Sequence, residues 1–178
     1  MAEVRSERYA LTGATGYDAL EKYAPEPGIV WLHVSARQPL IVALLRDVPF
    51  VYYGHFSNGR FRPCAGQDTC IQCAQHAGGK VRAVFSVYDV VNKKSGILEV
   101  SDDTAREVKN LTESWGQARG MVVSFRKEGG KQNGTIHAQS NNQCLRSEEL
   151  PDGPDPAYIL RKQWSEPERL PAGVSRRF

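Results

Sequence analysis

The chain has 178 residues, of which 40% are hydrophobic and 24% charged, with a formal net charge of +3. That length suits one domain plus a tail and that composition a soluble globular protein, and no run of 18 apolar residues offers a membrane span. The net charge is too weak to point to nucleic acid, but residues 51–150 hold 13 basic and 10 acidic side chains against 5 and 6 in residues 1–50. The basic excess therefore lies beside the cysteines. The first residues lack a signal-peptide core, so a cytoplasmic location is expected.

Residues 1–28 form an N-terminal extension. Tyr9 to Tyr23 reads as a short helix interrupted by Gly13 and Gly16, and Pro25-Glu26-Pro27-Gly28 reads as a turn. From Ile29 the segments IVWLHVSA, PLIVALL and VPFVYYGHF are apolar, β-branched and aromatic, as strands are. The run LIVALL also suits one buried helical turn, and periodicity does not separate the two. Residues 57–79 carry no strand pattern. They hold Gly59, Pro63, Gly66, Gly78, Gly79 and three cysteines, so this loop needs its own source of order. KVRAVFSVYDVV (80–91) alternates as a strand does, NKKSG turns, and ILEV pairs back. Ser101-Asp102-Asp103 caps a helix ending at Trp115, with Val108, Leu111 and Trp115 on one face and Gly116 as its stop. ARGMVVSFRK, GGKQNG and TIHAQS then read as a strand, a hairpin tip and a partner strand. PDGPDP opens a C-terminal tail, residues 151–178.

This order predicts a mainly β fold: a five-stranded OB-type barrel over residues 29–150. A metal-binding insert occupies residues 55–79, and one helix lies between strands 3 and 4. An SH3-like barrel or a small α+β sheet places that helix less well.

Cys70-Ile71-Gln72-Cys73 is a C-x2-C knuckle. With Cys64 and His55 upstream the spacing is H-x8-C-x5-C-x2-C, a Cys3His set suited to one structural, tetrahedral Zn2+. Clustered cysteines in a reducing compartment point to metal rather than to disulfides, and glycine-rich turn sequence does not resemble a buried core strand. His76, in a C-x2-C-x2-H arrangement, competes with His55 for the fourth position. The zinc-deaminase pattern is absent, because Ser57 stands two residues after His55 and a proline precedes Cys64 rather than Cys70. Cys144 stands alone and carries no assigned chemistry.

Single-strand binding needs cations for phosphates and flat rings for bases. The stretch 50–62 interleaves Tyr52, Tyr53, Phe56 and Phe61 with Arg60 and Arg62. On the strand 80–91, Arg82 shares a face with Lys80 and Tyr88, while Phe85 points to the other face, into the core. Arg126, Lys127 and Lys131 sit at the last hairpin tip. The expected nucleic-acid-binding residues are Tyr53, Arg60, Phe61, Arg62, Arg82, Tyr88, Arg126 and Lys131. Tyr52 and Tyr53 point to opposite faces, and Tyr53 is preferred because it shares a face with His55.

Residues 31–136 resemble the zinc-containing single-stranded-DNA-binding proteins of T-even phages in the order of ligands and elements. In both, a histidine ends a strand and three cysteines follow, the last two as C-x2-C; here these are His55, Cys64, Cys70 and Cys73. The ligand gaps are shorter than in that family, and the chain ends in the basic Arg176-Arg177-Phe178 instead of an acidic tail. The resemblance implies an OB-fold, phage-like, helix-destabilising protein.

The residues and the resemblance together predict a non-enzymatic protein that binds single-stranded nucleic acid, DNA before RNA, in replication or recombination, with no membrane partner. Replication or recombination proteins are the expected further partners. The alternative is a zinc-ribbon adaptor that binds protein in a phage or transcription complex. A zinc hydrolase or nuclease finds no paired carboxylates, H-E-x-x-H, P-loop or nucleophile elbow to support it.

Overall fold

The structure, a computed structural model, describes residues 30–57, 59–66, 69–75 and 78–163. The helix expected over Tyr9 to Tyr23, the competing ligand His76 and the basic chain end lie outside them.

Seven strands form among the described residues: β1 (Leu40–Leu44), β2 (Phe50–Ser57), β3 (Arg60–Pro63), β4 (Gly79–Asp89), β5 (Lys94–Ser101), β6 (Met121–Lys127) and β7 (Ile136–Cys144). Three α-helices accompany them among the described residues: α1 (Ile71–Ala74), α2 (Asp102–Trp115) and α3 (Pro156–Gln163). The sheet runs β3-β2-β4-β1-β6-β7, with β5 also on β4, and all pairings between these strands are antiparallel.

The long strand β4 organises the sheet. Along one edge it pairs first with β2 (His55 opposite Gly79 to Phe50 opposite Val84) and then with β1 (Leu44 opposite Val87 to Val42 opposite Asp89). Along the other edge it pairs with β5, from Arg82 opposite Ser101 to Asp89 opposite Lys94. The ambiguous run LIVALL is thus a strand. It is apolar on both sides because β1 lies in the middle of the sheet with both faces covered.

One face carries the main core, in which Val42, Leu44, Phe85, Val87, Val123 and Phe125 pack with Val108 of α2. The other face is covered at its centre by the C-terminal segment. Ile159 and Leu160 of α3 pack with Tyr52, Val84 and Ile97, while Leu150 packs with Ala43, Leu45 and Val122. Arg119 pins that segment by donating to the carbonyls of Leu45 (2.6 Å) and Leu150 (3.2 Å).

The helix is read correctly from its ends. Ser101 Oγ accepts from the Thr104 N–H at 3.4 Å, Asp102 and Asp103 sit in the first turn, and Gly116 closes the helix at φ 75°.

The expected five-stranded closed barrel is not formed; the sheet is open. Two interactions occupy the edges whose pairing would close it. Leu32 N–H donates to the Ile97 carbonyl (2.9 Å) and Ile97 N–H to the Val30 carbonyl (3.0 Å), so residues 30–32 take the outer edge of β5. On β7, the Thr104 hydroxyl donates to the Ile136 carbonyl (2.6 Å) and the Ala138 N–H donates to Glu107 (2.7 Å). Side chains of α2 thereby satisfy backbone groups that a neighbouring strand would otherwise take.

Candidate functional site

The β2–β3 hairpin carries two different surfaces because successive strand residues point to opposite faces. His55 and Tyr53 look to one side; Phe56, Gly54 and Tyr52 look to the other. A Cβ on Gly54 would lie 2.4 Å from the Arg62 carbonyl oxygen, so only glycine lets the two strands approach this closely there.

On the first side His55, only 2% exposed, meets the three clustered cysteines. Its Nε2 lies 3.2 Å from Cys73 Sγ, and Cys73 Sγ lies 3.6 Å from Cys64 Sγ. All four donor atoms lie within 4.8 Å of one another. A zinc tetrahedron has S···S edges of about 3.8 Å and N···S edges of about 3.5 Å, from bond lengths of about 2.3 and 2.0 Å. The four residues are thus close enough to hold one metal ion and are compatible with zinc.

The knuckle is built locally. Cys64 N–H donates to the Tyr53 carbonyl (2.9 Å), fixing the chain as it leaves β3. Cys70 N–H donates to the Gly66 carbonyl (2.9 Å), and Gly66, at φ 105°, points its own N–H at Cys64 Sγ (3.4 Å). Cys70 then precedes the single turn of α1 and Cys73 lies within it. Burial raises the Cys70 thiol, but N–H groups of Cys73, Ala65 and Gln72 and the Cys64 thiol outweigh it and leave Cys70 below the ordinary thiol value. Burial, then hydrogen bonds to Cys64 and Cys70, push Cys73 up to about 11. The backbone therefore favours ionisation of Cys70 over Cys73, and a thiolate is the form that binds metal.

On the second side a groove of about 890 Å³ runs between the β2–β3–β4 end of the sheet and the β6–β7 hairpin tip. Its rings are Trp31, Phe56 and Phe61; its cations are Arg60, Lys80, Arg82 and Lys127, against the acids Glu99 and Asp103. Phe56 meets Phe61 edge-on with centroids 5.4 Å apart. Burial, and then the Glu99 carboxylate beside it, push the Tyr52 phenol far above its usual value, so Tyr52 is a neutral member of the apolar cluster with Val84 and Ile97.

Of the eight residues expected to contact nucleic acid, Arg60, Phe61 and Arg82 line this groove. Tyr53 does not: it is half exposed on the metal side, with its ring edge-on to His55 at 5.7 Å. Tyr88 shares a strand face with Arg82 but packs against the Leu45–Val122–Leu150 cluster, because the C-terminal segment covers that part of the face. Arg62, Arg126 and Lys131 lie outside the groove lining, although Arg126 and Lys131 are exposed close to the tip. Trp31, expected within a strand, instead makes a single parallel bridge to Ile97 and lines the groove, and no local signal marks that.

Cys144 is exposed and accepts a hydrogen bond from Gln117 at 3.0 Å. Among the described residues no helix is long and apolar enough to cross a membrane. No known protein family matches this chain, and neither does any curated protein or solved structure.

Proposed function

We propose that this chain is a non-enzymatic protein that binds single-stranded nucleic acid, DNA before RNA, and carries one structural zinc ion. The observation that carries this reading is the groove, where three aromatic rings and four cations meet on one surface. Rings stack on unpaired bases regardless of sequence, and cations neutralise phosphates. A duplex hides its bases from such a surface.

The zinc reading rests on the donor set. Three sulfurs and one imidazole nitrogen complete four-fold coordination and leave no position for water, which is the mark of a structural site. The metal would tie β2 to the segment after β3. The strand order also supports an OB-type ancestry with its closure replaced: β1 with β2 acts as one bent strand, followed by β4, β5, the helix α2, then β6 and β7. With the order of the four ligands, this is the likeness to the T-even phage proteins, and it underlies a role in replication or recombination beside proteins of those processes.

The test is fluorescence anisotropy of a labelled thirty-nucleotide strand with the zinc-loaded protein at two salt concentrations. Binding should weaken as salt rises, and a duplex of the same length should bind less tightly. Absence of binding at low salt, or equal affinity for duplex, overturns the reading. Elemental analysis should find one zinc per chain.

A second reading, a protein adaptor, is favoured by a different feature. A groove of about 370 Å³ lies between α2 and the sheet, lined by Val51, Val81, Ala83 and Phe85, with Val48 and Val51 well exposed. Adaptor function predicts failure in the strand titration with the zinc content intact.

A further inference from the structure

Arg82 is a groove cation that already holds an acidic partner. Its Nε donates to Glu99 Oε1 at 2.7 Å, and the two side chains are only 17% and 16% exposed. Its guanidinium carbon sits 4.5 Å from the centroid of the Phe61 ring. Phe61 in turn buttresses Phe56, a residue 62% exposed. The four side chains form a chain of contact from the groove floor to its surface: Glu99, Arg82, Phe61, Phe56. Arg60 and Lys80, by contrast, are exposed and make no ion pair among the described residues.

Resting on the single-strand reading above, we propose that Arg82 is a positioning residue that meets no phosphate. Through Phe61 it holds Phe56 out as the base-stacking surface, and the phosphate contacts come from Arg60, Lys80 and Lys127. A cation that neutralises a phosphate releases the salt ion it held before, and that release makes binding salt-dependent. Arg82 already has Glu99 as its counterion and has none to release. Its planar guanidinium suits a flat seat on Phe61, which a lysine ammonium does not reproduce. Phe56 is exposed on the groove side, whereas Tyr53 looks to the metal.

The experiment is a salt titration of the full-length, zinc-loaded protein on an oligo-dT strand. Three phosphate contacts predict a slope of log K against log salt of about −2, at about 0.7 per contact on a single strand. Lys80→Gln should make the slope shallower by about 0.7. The charge-conserving pair Arg82→Gln with Glu99→Gln should weaken binding and leave the slope unchanged. Arg82→Lys, which keeps the charge and loses the planar fork, should also weaken binding without rescue. Phe56→Leu, at an exposed position that does not threaten folding, should weaken binding roughly tenfold at constant slope. A slope shallower by about 0.7 in the double variant makes Arg82 a phosphate contact and overturns the proposal. Wild-type affinity in Arg82→Lys or in Phe56→Leu overturns it equally, and these two decide the matter if the double variant does not fold. Failure of the wild-type protein to bind defeats the single-strand reading itself, which is a separate result.

Discussion

Between residues 60 and 75 the chain buries very little. α1 has no buried residue, β3 is partly exposed along its length, and among the described residues of this stretch Cys70 alone is fully buried. Between Ala83 and Val87, a few residues further on, every side chain is at most 5% exposed. Both stretches have a defined conformation, and the sources of their order differ. The centre of the sheet is ordered by apolar burial on two faces. The insert is too short to build a core, so its order falls to a few backbone hydrogen bonds and to four donor atoms around one point. β2 belongs to both regions, since Tyr52 enters an apolar cluster while His55 enters the metal cluster.

Metal removal should separate the two regions most sharply. Zinc binding by small Cys/His modules is worth on the order of 10 kcal/mol, and that binding energy is folding energy. Strong chelation should abolish hydrogen-exchange protection over residues 60–75 and at the His55 end of β2, while β1 and β6 amides stay protected with lowered stability. His55→Ala should lower zinc content and reproduce this pattern, whereas His76→Ala should retain the metal. Simultaneous loss of protection in β1 and β6 would erase the distinction between the regions. Metal loss in His76→Ala with retention in His55→Ala would move the fourth ligand to His76.

The reciprocal experiment acts on the sheet. Phe125 is fully buried on the main core face of β6, opposite Leu40 and Ala138. Phe125→Ala should lower global stability by about 3–5 kcal/mol in a denaturant titration, because it removes a large apolar contact and leaves a cavity. Zinc per folded chain should remain at one, since no donor residue touches that cavity. Substoichiometric zinc in the folded variant would mean that the core and the cluster form one cooperative unit.

The parts of the molecule that were legible in the sequence are those fixed by near neighbours. The helix announces itself by Ser101 at one end and Gly116 at the other, β4 by its alternation, and the donor set by the spacing of Cys64, Cys70 and Cys73. The parts that were not legible depend on distant partners. β3 is four residues, Arg60–Pro63, and is a strand only because β2 lies beside it. The open sheet follows from residues 30–32 reaching β5 and from Thr104 and Glu107 reaching β7, pairings that no local pattern encodes. The groove shows the same limit. Period-2 alternation places Tyr52 and Tyr53 on opposite faces, as expected. It does not say which face opens to a groove, because core covers one face of this sheet and the C-terminal segment much of the other. Tyr88 lies half-buried for that reason.

The smallest expected effect lies at the edge between α2 and β7, far in character from the metal cluster. Glu107 Oε1 lies 2.8 Å from His137 Nδ1 while its Oε2 accepts the Ala138 N–H. The hydrogen bond to Glu107 raises the His137 pKa, desolvation opposes it, and the charges of Glu107 and Glu128 add to the rise. A histidine whose folded value is raised stabilises the fold fully below its unfolded value, 6.5, and loses that contribution as pH rises through the folded value. His137→Gln should therefore be less stable than wild type at pH about 5 and indistinguishable from it at pH about 9. Glu107→Gln should show the same loss at low pH and a further loss at both, because it also weakens the acceptor for Ala138. Denaturant midpoints at the two pH values measure this. The pH-dependent difference should persist after chelation, since α2 and β7 belong to the region ordered by burial. Its disappearance in metal-free protein would make this edge part of the metal-ordered region and redraw the boundary between the two.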